Sequence, residues 1–354
     1  MKNILKRSII LPSLALLAAV SFTACSDWNE PESLDIKTPS LEEQNPELSA
    51  AYLERLRIFK AEDHKILMVA MDNPVGTPAV NRSQNLIAIP DSADYIILNT
   101  PDNLHPTVIA EMDEVRKKAM KVIYKINYTV FDAEWTKIKK ADTEGVLTDA
   151  DELAYFAERT EQMLALCAKF NYDGVIAAYP GRSLVSLPPA QLEEYAARQK
   201  NFLEPIAAWR EANGSKFFAF EGTPQFLISE SKAIFTKCDY IILPTDQVLN
   251  VGDMGVVAQM AMGADVPSDR FIFSVQTAPP GDDEMILGYF GTLDANGNKV
   301  RSIGATALWL GVPAEYTKAG MLINNAHYDY FDVSRFVYRY TREAIGLMNP
   351  SPKI

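Results

Sequence analysis

The residues best placed to do chemistry in this 354-residue chain stand just after short apolar runs. Glu221 follows the run Lys216–Phe220, and Asp246 follows Tyr240–Leu243 by way of Pro244 and Thr245. Carboxylates on neighbouring strands can come within about 5–5.5 Å, the separation of acid and nucleophile in a retaining hydrolysis of a glycosidic bond. Acids so placed more often bind hydroxyls than cleave bonds, and Asp72 and Asp246 would equally serve as caps of following helices. Asn127 and Gln276 contribute amides after two further runs, and Tyr179 and Trp309 contribute aromatic rings. Such a mixture suits sugar hydroxyls and the apolar faces of pyranose rings. Trp309 sits among Ala307, Leu308 and Leu310, so a core role fits it just as well.

The elements that must position these residues are eight apolar runs: Lys65–Met71, Tyr95–Leu98, Lys121–Asn127, Asp173–Tyr179, Lys216–Phe220, Tyr240–Leu243, Arg270–Val275 and Ala305–Leu310. They are continuous rather than alternating, as parallel strands covered on both faces should be. Helical spacing fills the intervals. Pro106 opens one helix, Asp149 to Phe170 carries apolar residues along one face, and Pro188 to Ala212 stops at Asn213-Gly214. Phe226–Lys237, Met254–Met262 and Val333–Met348 supply three more. Strand–helix alternation repeated eight times predicts a (β/α)8 TIM barrel, which needs roughly 250 residues. No strand is followed by the glycine-rich phosphate loop of an open dinucleotide-binding sheet. The expected organisation is a leader over 1–24, an acidic tether with a short helix over 25–58, and a single barrel domain over 59–354.

In the fourth run, Asn171-Tyr172-Asp173-Gly174-Val175-Ile176-Ala177-Ala178-Tyr179-Pro180, every second residue should face the barrel lumen. The run resembles the D-G-x-D-x-D-x-E strand of glycoside hydrolase family 18, the chitinases and endo-β-N-acetylglucosaminidases. Asp173 and Gly174 keep its opening, while Ile176, Ala178 and Pro180 occupy its later acidic positions. Leu243-Pro244-Thr245-Asp246 is similar to the family's M-x-Y-D, with threonine for tyrosine. Trp309 matches the tryptophan that the family places under the sugar in its last strand. Lys125-Ile126-Asn127-Tyr128 departs from the serine and paired glycines of chitinases. Asn324-Asn325-Ala326-His327-Tyr328-Asp329-Tyr330 resembles a segment of Bacteroides-type lipoproteins of this family, found in glycan-utilisation gene sets.

The resemblance implies a reaction in which a glutamate protonates the leaving oxygen and an aspartate two residues earlier steadies the substrate's attacking acetamido group. Ile176, Ala178 and Pro180 can do neither, and loss of the acid alone forfeits roughly 10²–10⁴-fold in rate. No catalytic residue is therefore assigned. The expectation is an inactive, glycan-binding member of the family whose ligand contains N-acetylglucosamine, as in N-glycans or chitin. Its binding residues would be Asp72, Asn127, Tyr179, Glu221, Asp246, Gln276 and Trp309. The alternatives are an endo-acting hydrolase using Glu221 and Asp246, and a structural partner of a glycan importer with no sugar contact.

The N-terminus sets the compartment. Lys2, Lys6 and Arg7 precede an apolar stretch from Ile9 to Val20 that is short for a membrane span, and Thr23-Ala24-Cys25 follows. The pattern resembles a bacterial lipoprotein signal with Cys25 acylated. The acidic residues after it resemble an export signal to the outer face of the outer membrane. Expected partners are thus a glycan, the membrane lipid reached through Cys25, and an outer-membrane glycan importer with its lipoproteins. A net charge of −12 argues against nucleic-acid binding. His64, His105 and His327 are isolated, so neither a metal nor a cofactor is expected. Cys167 and Cys238 are either two buried thiols or a disulfide.

Overall fold

The computed structural model describes residues 41–350 apart from 186, 264, 283 and 332–335. The leader, Cys25 and most of the tether lie outside the described residues. The chain divides into two compact units at Ala51/Tyr52. A helical turn, Leu41–Gln44, belongs to the first unit, and helix α1, Pro46–Ala61, begins there. Asn45 caps α1 by accepting from the Leu48 N–H at 3.0 Å.

The second unit holds a closed barrel of eight parallel strands. These are β1 (Ile66–Met71), β2 (Tyr95–Leu98), β3 (Lys121–Asn127), β4 (Gly174–Tyr179), β5 (Phe217–Gly222), β6 (Tyr240–Leu243), β7 (Phe271–Gln276) and, after a hairpin of β8 (Tyr289–Leu293) and β9 (Lys299–Arg301), β10 (Lys318–Asn324). The order around the barrel is β1-β10-β7-β6-β5-β4-β3-β2. The strands read as unbroken apolar runs because both faces are covered. Met68, Ile97, Ile123, Ile176, Ala219, Ile242, Ile272 and Leu322 fill the lumen, while their neighbours in sequence pack outward under the helices. Cys167 and Cys238 are buried free thiols.

One expected strand is not a strand. Ala305–Leu310 lies within helix α7, Ser302–Leu310, and the eighth barrel strand is β10 instead. A six-residue apolar run cannot be told from a buried helix by periodicity alone. Here alanine and leucine favour the helix, which buries Ser302, Ile303, Thr306, Ala307 and Leu310. The true strand was masked by Lys318 and Gly320. Lys318 is 4 % exposed, and its Nζ donates to the carbonyls of Trp309 (2.8 Å) and Val312 (2.7 Å).

The other helices are α2 (Pro106–Lys117), α3 (Tyr128–Ala141), α4 (Asp149–Lys169), α5 (Pro189–Ala212), α6 (Val251–Ala261) and α8 (Arg339–Met348). Thr148 and Asp151 form a reciprocal capping box on α4. The helix expected over Phe226–Lys237 is a tighter 3-10 segment, Ser229–Lys237.

A repeated polar device joins the strands in pairs at their N-terminal ends. The Asp173 N–H donates to the Val122 carbonyl at 2.8 Å, and its Oδ2 accepts from the Val122 N–H at 2.8 Å, locking β4 to β3. Asp94 holds Leu67 of β1 in the same way at 2.9 Å for both bonds, and Asp239 holds Phe218 of β5 at 2.8 Å for both. Each aspartate faces its own basic side chain: His64 at 3.0 Å, Arg116 at 3.0 Å and Arg210 at 3.6 Å. The pentapeptide Asp-Tyr-Ile-Ile-Leu recurs unchanged at 94–98 and 239–243, around β2 and β6. Gly174 is equally constrained, since a Cβ there would lie 2.2 Å from the Phe217 carbonyl oxygen of β5. Asp173-Gly174 is therefore structural.

Replacing Asp173 by alanine strands the Val122 N–H and removes one of the partners of the Arg116 guanidinium, which keeps Asp113 and the Asn171 carbonyl. Urea denaturation should show a loss of about 2–3 kcal/mol, with Asp173→Asn losing less because an amide oxygen still accepts. His64 offers a pH readout. Its hydrogen bond to Asp94, opposed by burial, raises its pKa above the ordinary value. The ion pair thus contributes fully below about pH 6.5 and is lost as pH rises through the raised value. The stability difference between wild type and His64→Phe should shrink across that upward pH step.

Candidate functional site

At the C-terminal ends of the barrel strands, where such barrels carry their sites, the centre is an ion pair. Lys125, the fifth residue of β3, continues the inward parity of Ile123. Its Nζ lies 2.9 Å from Oε1 and 2.8 Å from Oε2 of Glu221 on β5, and 3.5 Å from Oδ1 of Asn324 on β10. One ammonium thus ties three strands across the lumen. Both side chains are mostly buried, at 20 % and 16 % exposed.

Two further clusters flank this centre. On the β1–β2 side, Asp72 accepts from Asn99 Nδ2 at 2.7 Å and faces His327 Nε2 at 3.4 Å. Burial lowers the His327 pKa against the opposing pull of Asp72, which favours a neutral imidazole there. On the β6–β7 side, Asp246 accepts from Ser274 Oγ at 3.3 Å, while the Thr245 N–H donates to that same Oγ at 2.9 Å.

On the wall between these clusters, β4 itself carries no acid. Across β3, β4 and β5, Asn127, Ala178 and Glu221 stand side by side in register. Ala178 is buried and Pro180 is exposed at the rim. Neither can move a proton, and Pro180 also lacks a backbone N–H. Glu221 is engaged by the Lys125 ammonium. The arrangement can pair with hydroxyls through Asp72, Asn99, Glu221, Asp246 and Asn324, but it presents no free acid where the family keeps one. Among the described residues, no group of three histidine, cysteine or acidic side chains is arranged to hold a metal.

The residues singled out from sequence divide into three groups. Asp72, Glu221 and Asp246 stand at the strand ends with the partners just given, and Gln276 closes β7 in register with Asn324, largely buried. Asn127 also ends its strand, but its side chain caps α3 by accepting from the Thr129 N–H at 2.9 Å. Tyr179 and Trp309 are corrected. Tyr179 points outward, because the side chains of a strand alternate, and its ring packs 4.8 Å from Tyr128 and 6.0 Å from Phe202. Trp309 rides on α7 outside the barrel. It meets the ring of Phe273 edge-on at 4.8 Å, and Lys318 Nζ, from the start of β10, lies 3.9 Å from its ring. It therefore sits against the outer wall, away from the mouth. Sequence reasoning found Asn99 at its strand end but did not single out Lys125, Ser274 or Asn324 as site residues. The parity of β3 was the available signal for Lys125, since a lysine between Ile123 and Asn127 must enter the lumen.

Comparison with known proteins agrees with this frame. The model of glycoside hydrolase family 18, BT1044-like, matches residues 29–347. The chain belongs to this family. No curated protein matches it. Among solved structures, a selenomethionine Glu-to-Gln variant of BT1044 is similar at 16 % identity and a TM-score of 0.61, over 87 % of this chain and 95 % of that one. The apo endo-β-N-acetylglucosaminidase of Cordyceps militaris is similar at 13 % identity and 0.58, over 85 % and 96 %. An Asp-to-Asn, Glu-to-Gln variant of that enzyme, holding fucosyl-N-acetylglucosamine-Asn, reaches 0.54 at 12 % identity over 84 % and 95 %. At these identities the likeness to the solved structures concerns the fold. Within family 18, this chain departs at Ala178 and Pro180 and in the lysine of β3.

Lys125→Met would leave the Glu221 carboxylate enclosed without its cation. Chemical denaturation should show a loss of about 2–3 kcal/mol, below the 3–5 expected of a fully buried pair. The double variant Lys125→Met, Glu221→Leu should recover more than about 1 kcal/mol of it, as a directly coupled pair requires.

Proposed function

We propose that this barrel binds a glycan containing N-acetylglucosamine without cleaving it. The observation that carries the reading is the combination of Ala178 and Pro180 at the family's acid positions with a neighbouring Glu221 ion-paired to Lys125, whose ammonium donates to Oε1. The three polar clusters of the mouth supply hydrogen-bonding groups for sugar hydroxyls. An N-glycan core is the first ligand to try, because a structural neighbour holds fucosyl-N-acetylglucosamine-Asn. In this reading the chain is a lipoprotein anchored through Cys25 on the outer face of a Bacteroides-type outer membrane. There it hands captured glycan to an importer. Among the described residues no helix is long and apolar enough to cross a membrane, so a lipid on Cys25 would supply the anchor.

The runner-up is an endo-acting hydrolase using Glu221 and Asp246. Its acid would have to come from a carboxylate engaged by Lys125 or from one accepting from Ser274, so the binding reading is preferred.

Titration of the soluble domain with chitotetraose and with a released N-glycan should give saturable binding, and incubation with an N-glycoprotein should release no glycan. Asp72→Ala and Asp246→Ala should each weaken binding by about tenfold, the worth of one to two hydrogen bonds. Absence of saturable binding to either ligand would overturn the proposal, and released glycan would favour the hydrolase. In cells, Cys25→Ala should shift the protein from the membrane fraction to the soluble fraction.

A further inference from the structure

The opposite, N-terminal end of the barrel holds a cavity of about 670 Å³ that takes no part in the reading above. It opens among the starts of β2, β3, β5, β6 and β7. Its inner wall is formed by Tyr95, Phe217 and Tyr240, whose rings close the lumen from below. Tyr95 and Phe217 are 4.3 Å apart, and Tyr240 lies 6.5 and 6.2 Å from them.

The charge of this cavity runs against that of the chain. Five cations line it, Lys121, Arg210, Lys216, Lys237 and Arg270, against two carboxylates, Glu211 and Asp239. The whole chain carries −12. Three of the cations have acidic partners: Lys237 on Glu211, Arg210 near Asp239 at 3.6 Å, and Arg270 on Asp269 at 2.7 Å. The remaining two have none among the described residues. Lys121 Nζ stands 5.6 Å above the Tyr95 ring, and Lys216 Nζ donates only to the Tyr172 carbonyl at 2.6 Å. Nor does the phenol oxygen of Tyr95 or Tyr240 have a hydrogen-bond partner among the described residues. Two ammoniums without an acidic partner and two unused phenol donors therefore line a space large enough for a small molecule.

We propose that this cavity is a second binding site, for a small molecule bearing a tetrahedral oxyanion, a phosphate or sulfate ester. Lys121 and Lys216 supply the charge, and the phenols of Tyr95 and Tyr240 donate hydrogen bonds to the ester oxygens. Arg210 and Arg270 keep their structural bonds and add positive field. The site is separate from the mouth, so its occupation does not depend on the glycan reading.

The test follows the backbone amides of Tyr95, Lys121, Lys216 and Tyr240 by nuclear magnetic resonance. Inorganic phosphate, inorganic sulfate and glucose 6-phosphate are titrated in turn into the soluble protein at low ionic strength. Saturable shifts localised to these four residues with at least one probe are expected. Lys121→Glu reverses one exposed charge and removes its contact with the Tyr95 ring while leaving the backbone pairing of β3 with β2 in place, and should weaken that binding by at least about tenfold. Added salt should weaken it further. Chitotetraose binding at the other end should be unchanged by the variant. The proposal is overturned if none of the three probes shifts these amides in the millimolar range, or if Lys121→Glu leaves the shifts as they were.

Discussion

A closed parallel barrel depends on every strand keeping its register with both neighbours, because one slipped pair turns a whole row of side chains to the wrong face. Here that register is pinned by carboxylates. Asp94, Asp173 and Asp239 each bond the N–H of a residue on the preceding strand and donate to that same residue's carbonyl. A basic side chain from outside the sheet faces each one. Three strand pairs are thereby stitched at one end of the barrel. The steric demand at Gly174, where β4 approaches the Phe217 carbonyl, sets the remaining tolerance between β4 and β5.

Seen this way, the half-kept motif of β4 has a physical explanation. Asp173 and Gly174 are bound to the backbone geometry of three strands, so changing either disturbs the barrel itself. Ala178 and Pro180 lie nearer the open end, where a side chain answers only to what is bound there. The frame and the chemistry of the motif are separable, and this chain keeps the frame. Lys125 enters the lumen two residues past Ile123, and its ammonium engages Glu221 and Asn324.

The two ends of the barrel also differ in electrostatic character. The mouth gathers Asp72, Glu221, Asp246, amides and a histidine whose pKa burial lowers. The far end gathers five cations around a floor of aromatic rings. Burial raises the phenol pKa values of that floor, to about 12 for Tyr240, so these groups remain hydrogen-bond donors at neutral pH. A low-dielectric plug of lumen side chains separates the two ends, which supports treating them as independent sites.

The sequence by itself determined the fold class, since seven of the eight expected runs are barrel strands and the helices expected from Pro106, Asp149 and Pro188 begin within a residue of those positions. It also determined the absence of acids from the inward positions of β4, because strand parity follows from chain geometry alone. The eighth strand was not legible. Ala305–Leu310 is more apolar than Lys318–Asn324, and closure of the barrel, which places Lys318–Asn324 between β1 and β7, decides that the latter is the strand. Tyr179 and Trp309 were misplaced for related reasons, one by parity and one by element type. The Lys125–Glu221 pair joins residues 96 positions apart, and no local pattern marks such a contact. Tertiary structure alone brings them together, because closing the barrel places β3 and β5 on either side of β4 with both side chains turned to the axis.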